Sequence, residues 1–205
     1  MRKKRKRSKI ASDVYPSFVM TEGFFVREVG MNIGQITKCD IANGTGIRIS
    51  LFVSGCTNCC PGCFQPETWD FSFGHEYTKE MEDALIEELR KPQYEGLTIL
   101  GGEPMEFSNQ EGILPLIERI RRELPDKNIW IYSGFTYESD LCPGGKRYGK
   151  FTDAILDQID ILVDGRFVLA LANISLNFRG SENQRIIDLK KTRKEGKVIL
   201  SPLNN

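Results

Sequence analysis

The stretch NGTGIRISLFVSGCTNCCPGCF, residues 43–64, decides how this chain folds. Two glycines lead into an apolar, β-branched run, Ile47 to Val53, and a Ser-Gly step closes it. A short run of this kind, bounded by glycine, reads as a buried strand. Directly behind it stand Cys56, Cys59, Cys60 and Cys63, four of the chain's six cysteines. A buried strand that empties into a loop of soft ligands puts chemistry at a strand end.

Outward from that stretch, strands and helices alternate. Upstream, MNIGQITKCD from Met31 alternates weakly and predicts a short strand or hairpin. Downstream, TKEMEDALIEELRK predicts an amphipathic helix capped by Thr78, with Met81, Leu85 and Leu89 inward and Pro92 as its stop. GLTILGG is the next buried strand. NQEGILPLIERIRREL predicts a second helix despite Pro115, with Ile113, Leu114, Ile117 and Ile120 inward. NIWIYSG and DILVDG read as strands, FTDAILDQI as a short helix between them, and QRIIDLKKTRKEGKVIL as two edge strands. Near-continuous apolar strands alternating with helices specify a parallel sheet with helices packed on it. The strands end in SGC, GGEP, YSGF and VDGRF, and ligands of parallel α/β folds bind at such carboxyl ends. There are too few βα units for an eight-fold barrel, so the expected fold class is α/β, a partial (open) β/α barrel.

Length and charge set the frame. The 205 residues suit one compact domain. Seven of the 28 Lys and Arg fall in MRKKRKRSK, and from Met31 onward acidic residues outnumber basic ones by five. Residues 1–30 therefore read as a basic extension, first of all a solvated tail, joined to a mildly acidic domain over residues 31–205. Such a tail can also serve nucleic acid or an anionic surface. No apolar run is long enough to span a bilayer, and no secretory signal is indicated, so the expected location is cytoplasmic. In that compartment clustered thiols point to metal or redox chemistry rather than disulfides. One histidine excludes a Ser-His-Asp set, and neither a P-loop nor a dinucleotide fingerprint is present.

The cysteines allow two three-ligand subsets. Cys56, Cys60 and Cys63 give C-x3-C-x2-C; Cys56, Cys59 and Cys63 give C-x2-C-x3-C. A structural zinc site takes four ligands, usually as two separated pairs, and a second CxxC is missing. Cys39, Cys142 and His75 stand alone. An iron–sulfur cluster is the other soft-thiolate option. Spacing by itself leaves cluster, zinc and incidental thiols open.

The order of motifs goes further. C-x3-C-x2-C after a first strand, with GGEP after a second, resembles the radical S-adenosylmethionine (SAM) enzymes. GIRISLFVSGC, CPGCF, GGEP, IYSGFT, LVDGRF and NFRGSENQRIID, in this order from Met31 to about Leu189, resemble the activating proteins of anaerobic (class III) ribonucleoside-triphosphate reductases. The resemblance implies a partial barrel of the radical SAM type. It implies Cys56, Cys60 and Cys63 as ligands of one [4Fe–4S] cluster, with SAM on the fourth iron and Cys59 as a passenger. It implies reductive cleavage of SAM to a 5′-deoxyadenosyl radical, which takes a hydrogen atom from a glycine of the reductase. SAM is expected on Gly62, Cys63 and Phe64, on Gly101, Gly102 and Glu103, and on Ser133; Gly134 and Asp164–Arg166 are further candidates. Many radical SAM loops carry an aromatic before the last cysteine; here Gly62 stands there and Phe64 follows instead. A flavodoxin-like or similar electron donor is the second expected partner. Three rivals remain: an activase for another glycyl radical enzyme such as pyruvate formate-lyase, a zinc-stabilised nucleic-acid-binding module, and a relative that keeps the fold without the chemistry. Arg48 reads as a core-edge cation and receives no role; FRGSENQR reads by default as a surface loop, and its likeness to the family implies a partner-binding or substrate-cleft element.

Overall fold

A computed structural model describes residues 30–204, and in it the strand expected over Ile47–Val53 has those bounds. The basic extension, Gly30 apart, lies outside the described residues. Chain order runs β1 (Asn32–Asp40), β2 (Ile47–Val53), β3 (His75–Glu76), α1 (Lys79–Leu89), β4 (Tyr94–Gly101), α2 (Phe107–Glu123), β5 (Asn128–Tyr132), α3 (Thr152–Leu156), β6 (Ile161–Asp164), β7 (Arg185–Asp188) and α4 (Leu189–Glu195). The strands form one sheet in the order β3-β1-β2-β4-β5-β6-β7. β2, β4, β5 and β6 are parallel; β1 and β7 pair antiparallel with β2 and β6 at the two flanks, and β3 pairs antiparallel with β1. The sheet is open, as three βα crossovers are too few to close it.

Side chains alternate across each strand, so the sheet has two faces of different character. Ile49, Leu51 and Val53 of β2 join Leu97, Ile99, Ile129, Ile131 and Leu162 in the core beneath the helices. Leu85, Ile86 and Leu89 of α1 seal it from one side, each stabilising the fold by about 1.5–3 kcal/mol. Thr78 caps α1 as expected, its hydroxyl accepting from the Met81 N–H. The opposite face of β2 carries Arg48, Ser50 and Phe52, near a smaller cluster of Trp130, Val163 and Ile186.

Three expectations need correcting. α2 begins at Phe107, ahead of the expected start at Asn109, while it runs through Pro115 as expected. Its fully buried residues include Ile113, Leu116, Ile117 and Ile120, while Leu114 packs only at the core margin. Leu116, one turn before Ile120, completes the inward stripe. After β7 the chain forms α4, not a second edge strand. Asp188 caps it by accepting from the Lys191 N–H at 3.0 Å, and Gly196 ends it in the left-handed region at φ 69°. Of the expected last strand only an Ile187–Leu200 bridge remains. Third, Arg48 is not at the core edge but fully buried, its guanidinium stacked 5.1 Å from the Trp130 ring and donating to Thr98 Oγ1 and the Leu97 carbonyl. Burial without a carboxylate in contact pushes its pKa down to about 10.

Candidate cluster and SAM site

The four strand-end loops share one face, where they wall a cavity of about 580 Å³. Cys56, Cys60 and Cys63 line it, with Phe64, Gly101, Gly102, Glu103, Ser133, Gly134 and Gly165. The structure therefore brings the SAM-site residues expected from the sequence to this cavity, except Gly62 and, among the further candidates, Asp164 and Arg166. Gly62 turns the loop at φ 76° with its α-carbon facing Leu169.

The cysteine loop is shaped by its backbone first. Gly55 N–H donates to the Thr68 carbonyl at 2.8 Å, Cys56 N–H to Trp69 at 3.1 Å, and Cys63 N–H to Cys60 at 3.1 Å. Cys56 and Cys60 are buried and Cys63 is half-buried. Burial pushes the Cys56 thiol up to about 11, so a bound metal must displace its proton. Cys59 is exposed with a left-handed backbone at φ 45° and does not line the cavity.

Gly101 and Gly102 do something more specific than leave room for a ligand. A Cβ on Gly101 would stand 2.7 Å from the Val53 carbonyl oxygen, and one on Gly102 2.6 Å from that of Gly55. Their bareness lets the second loop lie directly on the root of the cysteine loop. Gly102 N–H then donates to Val53 at 2.7 Å and Glu103 N–H to Gly55 at 2.9 Å.

Glu103 is the buried tie between three loops. Its Oε1 accepts from Met105 N–H at 2.9 Å and Ser133 Oγ at 2.8 Å. Its Oε2 accepts from Gly134 N–H at 2.7 Å and Asn58 Nδ2 at 3.0 Å. Burial pushes the carboxyl up to about 7. With four donors already on it, Glu103 positions the walls, and Ser133 spends its proton on Glu103 while accepting from Phe135 N–H. Asp164 likewise faces inward to the fold, held by a two-pronged pair with Arg185 at 2.5 and 2.9 Å.

The residues between the cysteines are held as firmly as the cysteines. Thr57 donates twice to the buried Glu106 carboxylate, through N–H at 2.9 Å and Oγ1 at 2.5 Å. Arg147 donates to Thr57 Oγ1 at 2.6 Å, pairs with Glu106 at 3.2 Å and lies 4.8 Å over the Phe135 ring. Arg166 donates to the Asn58 carbonyl. Glu106 and Arg147 were missed in the sequence, where only the polar Thr-Asn pair inside the cysteine run hinted that the loop is tied down; Arg166, a candidate for SAM, instead ties that loop through Asn58. Gly180 and Gln184 of the FRGSENQR segment also line the cavity, so that segment belongs to its wall.

The donor set suits a four-iron cluster. Three thiols share one wall and no fourth protein ligand is needed. Among the described residues no three Cys, His, Asp or Glu side chains gather tightly enough to grip a single ion. A zinc ion needs its thiolates about 2.3 Å from one centre. Thiolates around a cube bind separate irons and stand further apart. His75 is exposed on β3, and Cys39 and Cys142 lie away from this cavity.

Comparison with known proteins agrees with this geometry. A family model described as a 4Fe-4S single cluster domain matches residues 42–187. An anaerobic ribonucleoside-triphosphate reductase-activating protein of Vibrio cholerae is 41% identical over 158 residues, covering 76% of this chain and 97% of the relative. The protein of that name in Escherichia coli K12 is 40% identical over 162 residues, 78% of this chain and all of the relative. One from Enterobacteria phage T4 is 35% identical over 156 residues, 76% of this chain and 93% of the relative.

Proposed function

The chain belongs to the anaerobic ribonucleoside-triphosphate reductase-activating proteins and carries their 4Fe-4S single cluster domain, and on that premise we propose that Cys56, Cys60 and Cys63 hold the cluster while the facing loops hold SAM. It is a radical SAM activase, an oxidoreductase that generates the glycyl radical on anaerobic ribonucleotide reductase, with one [4Fe–4S] cluster and SAM as cofactors. The observation that carries the residue assignment is the single cavity lined by the three cysteines and the GGEP and SGF loops.

When bound, the cluster supplies one electron to the SAM sulfonium, which releases methionine and a 5′-deoxyadenosyl radical able to take a hydrogen atom from glycine. The chain's own part is placement. Gly101 and Gly102 bring main chain to the cluster-facing wall for the methionine end of SAM. Phe64, 83% exposed at the mouth, offers a ring face to the adenine, with the Gly62–Cys63 backbone beside it. Glu103 and Ser133 act on SAM through the loops they join. Cys59 takes no iron.

The same reading makes residues 31–205 the activase domain and residues 1–30 an extension it does not require. Among the described residues no helix is long and apolar enough to cross a membrane. We place the reaction in the cytoplasm, with a flavodoxin-like or similar donor supplying the electron and no role for nucleic acid.

The test is anaerobic iron–sulfur reconstitution, dithionite reduction and EPR with and without SAM. A [4Fe–4S]⁺ signal that changes on adding SAM, followed by a glycyl radical on the reductase, is the expected result. A colourless protein carrying zinc overturns the reading.

A further inference from the structure

Five of the eleven large apolar side chains exposed among the described residues fall beside the cavity mouth. Phe64 is 83% exposed, Val168 37%, Leu169 58%, Leu171 40% and Ile174 fully. Single exposed apolar residues are ordinary; a concentration of them marks an interaction surface.

These residues belong to one patch. The Phe64 ring lies 5.6 Å from that of Phe167, and Leu169 packs against Gly62 of the cysteine loop. Phe64, Phe167 and Ile174 also line the cavity, so the patch is its rim. The backbone beneath is ordered. Leu171 N–H donates to Val168 at 2.9 Å, Glu182 N–H to Leu171 at 2.9 Å, and Asn173 N–H to Gly180 at 3.2 Å. Asn173 Nδ2 donates to Glu182, and Val168 N–H to Ser181 Oγ. The apolar side chains are held outward on a fixed frame, which lowers the ordering cost of binding.

We propose that this apolar collar, Phe64 with residues 167–174, docks the segment of anaerobic ribonucleotide reductase that presents the reactive glycine. The inference rests on the activase reading and deepens it. The reacting atom sits on another polypeptide, while the cysteines sit inside the cavity. The collar borders that cavity, so a segment crossing it reaches the site, and burying apolar rim against apolar side chains shuts water out. A second copy of this chain seated there would block the reductase.

The test compares full-length reconstituted wild type with Leu171→Glu and Ile174→Glu, each checked for iron content and melting temperature. Affinity for the reductase is measured anaerobically by titration, with sedimentation of the activase alone in parallel. Both variants are expected to bind the reductase at least about tenfold more weakly, in the range of an interface hot spot. Ile174→Ala, at a fully exposed position, repeats the measurement without a buried charge and is expected to weaken binding several-fold. Unchanged or tighter binding in all three overturns the collar. Dissociation of a wild-type self-associated form, with reductase affinity retained, also overturns it in favour of a second copy. Failure of the activase reading looks different: wild type itself then yields no glycyl radical on the reductase.

Discussion

The Asn58 side-chain amide donates to the Glu103 carboxylate at 3.0 Å, joining the middle of the cysteine loop to the loop after β4 across 45 residues of sequence. Glu103 is 1% exposed and takes three further hydrogen bonds from Met105, Ser133 and Gly134. Glu103→Gln turns one oxygen into a donor that faces two donors. We expect a loss of about 2–3 kcal/mol, with Asn58→Ala costing about half as much. Denaturant unfolding of both variants checks this; equal and negligible losses would show that the tie is not energetically coupled.

Thr57, Glu106 and Arg147 form the second tie. Thr57→Val keeps the shape and removes the hydroxyl shared by Glu106 and Arg147. It should cost about 1–2 kcal/mol and alter the EPR signal of the reduced cluster, because hydrogen bonds around a site tune the groups it holds. Arg147→Lys keeps charge without the fork and should restore only part of what Arg147→Ala loses. A wild-type EPR signal in Arg147→Ala would confine the residue to packing against Phe135 and Phe107.

Cys59 and Cys60 are neighbours with opposite surroundings, one exposed and outside the cavity wall, the other buried within it. Cys60→Ala should reduce reconstituted iron from about four per chain to a small residue, whereas Cys59→Ala should retain nearly all of it. Iron and sulfide assays on both variants decide the ligand set, and equal loss would reverse it.

Asp160 links α2, β5 and α4. Burial raises its carboxyl pKa, but Lys190, Arg121 at 2.6 Å and the Ile129 N–H at 2.7 Å outweigh that and hold it below the ordinary 3.8. A depressed folded pKa contributes stability above the unfolded pKa and loses it as pH falls through the folded one. Wild type should therefore lose melting temperature below about pH 4 more steeply than Asp160→Asn. Parallel acid limbs for the two proteins would exclude Asp160 from acid sensitivity.

Much of the fold was legible because its signals are local. β2, β4, β5 and β6 are short apolar runs closed by glycine or polar turns, and α1 declares itself by a Thr78 cap and Leu85–Leu89 spacing. α4 was misread as a strand because the apolar pair Val198–Ile199 after Gly196 outweighed the Asp188 cap and the Lys- and Arg-rich turn before it. Arg48 was underestimated because a cation amid β-branched residues looks like an edge position; its partners Thr98, Leu97 and Trp130 arrive from two other strands.

By itself the sequence determined the alternation of strand and helix, the glycine-rich strand ends and the C-x3-C-x2-C spacing, since each is written within a few consecutive residues. Only the tertiary structure decided what surrounds the cysteines. Thr57 meets Arg147 across 90 residues and Glu106 across 49, and neither separation leaves a periodic trace. It also decided that Glu103 is a tie and not a free charge: a carboxylate shut away from water must collect its donors from whatever loops the fold brings near, and here those are the loops that wall the site.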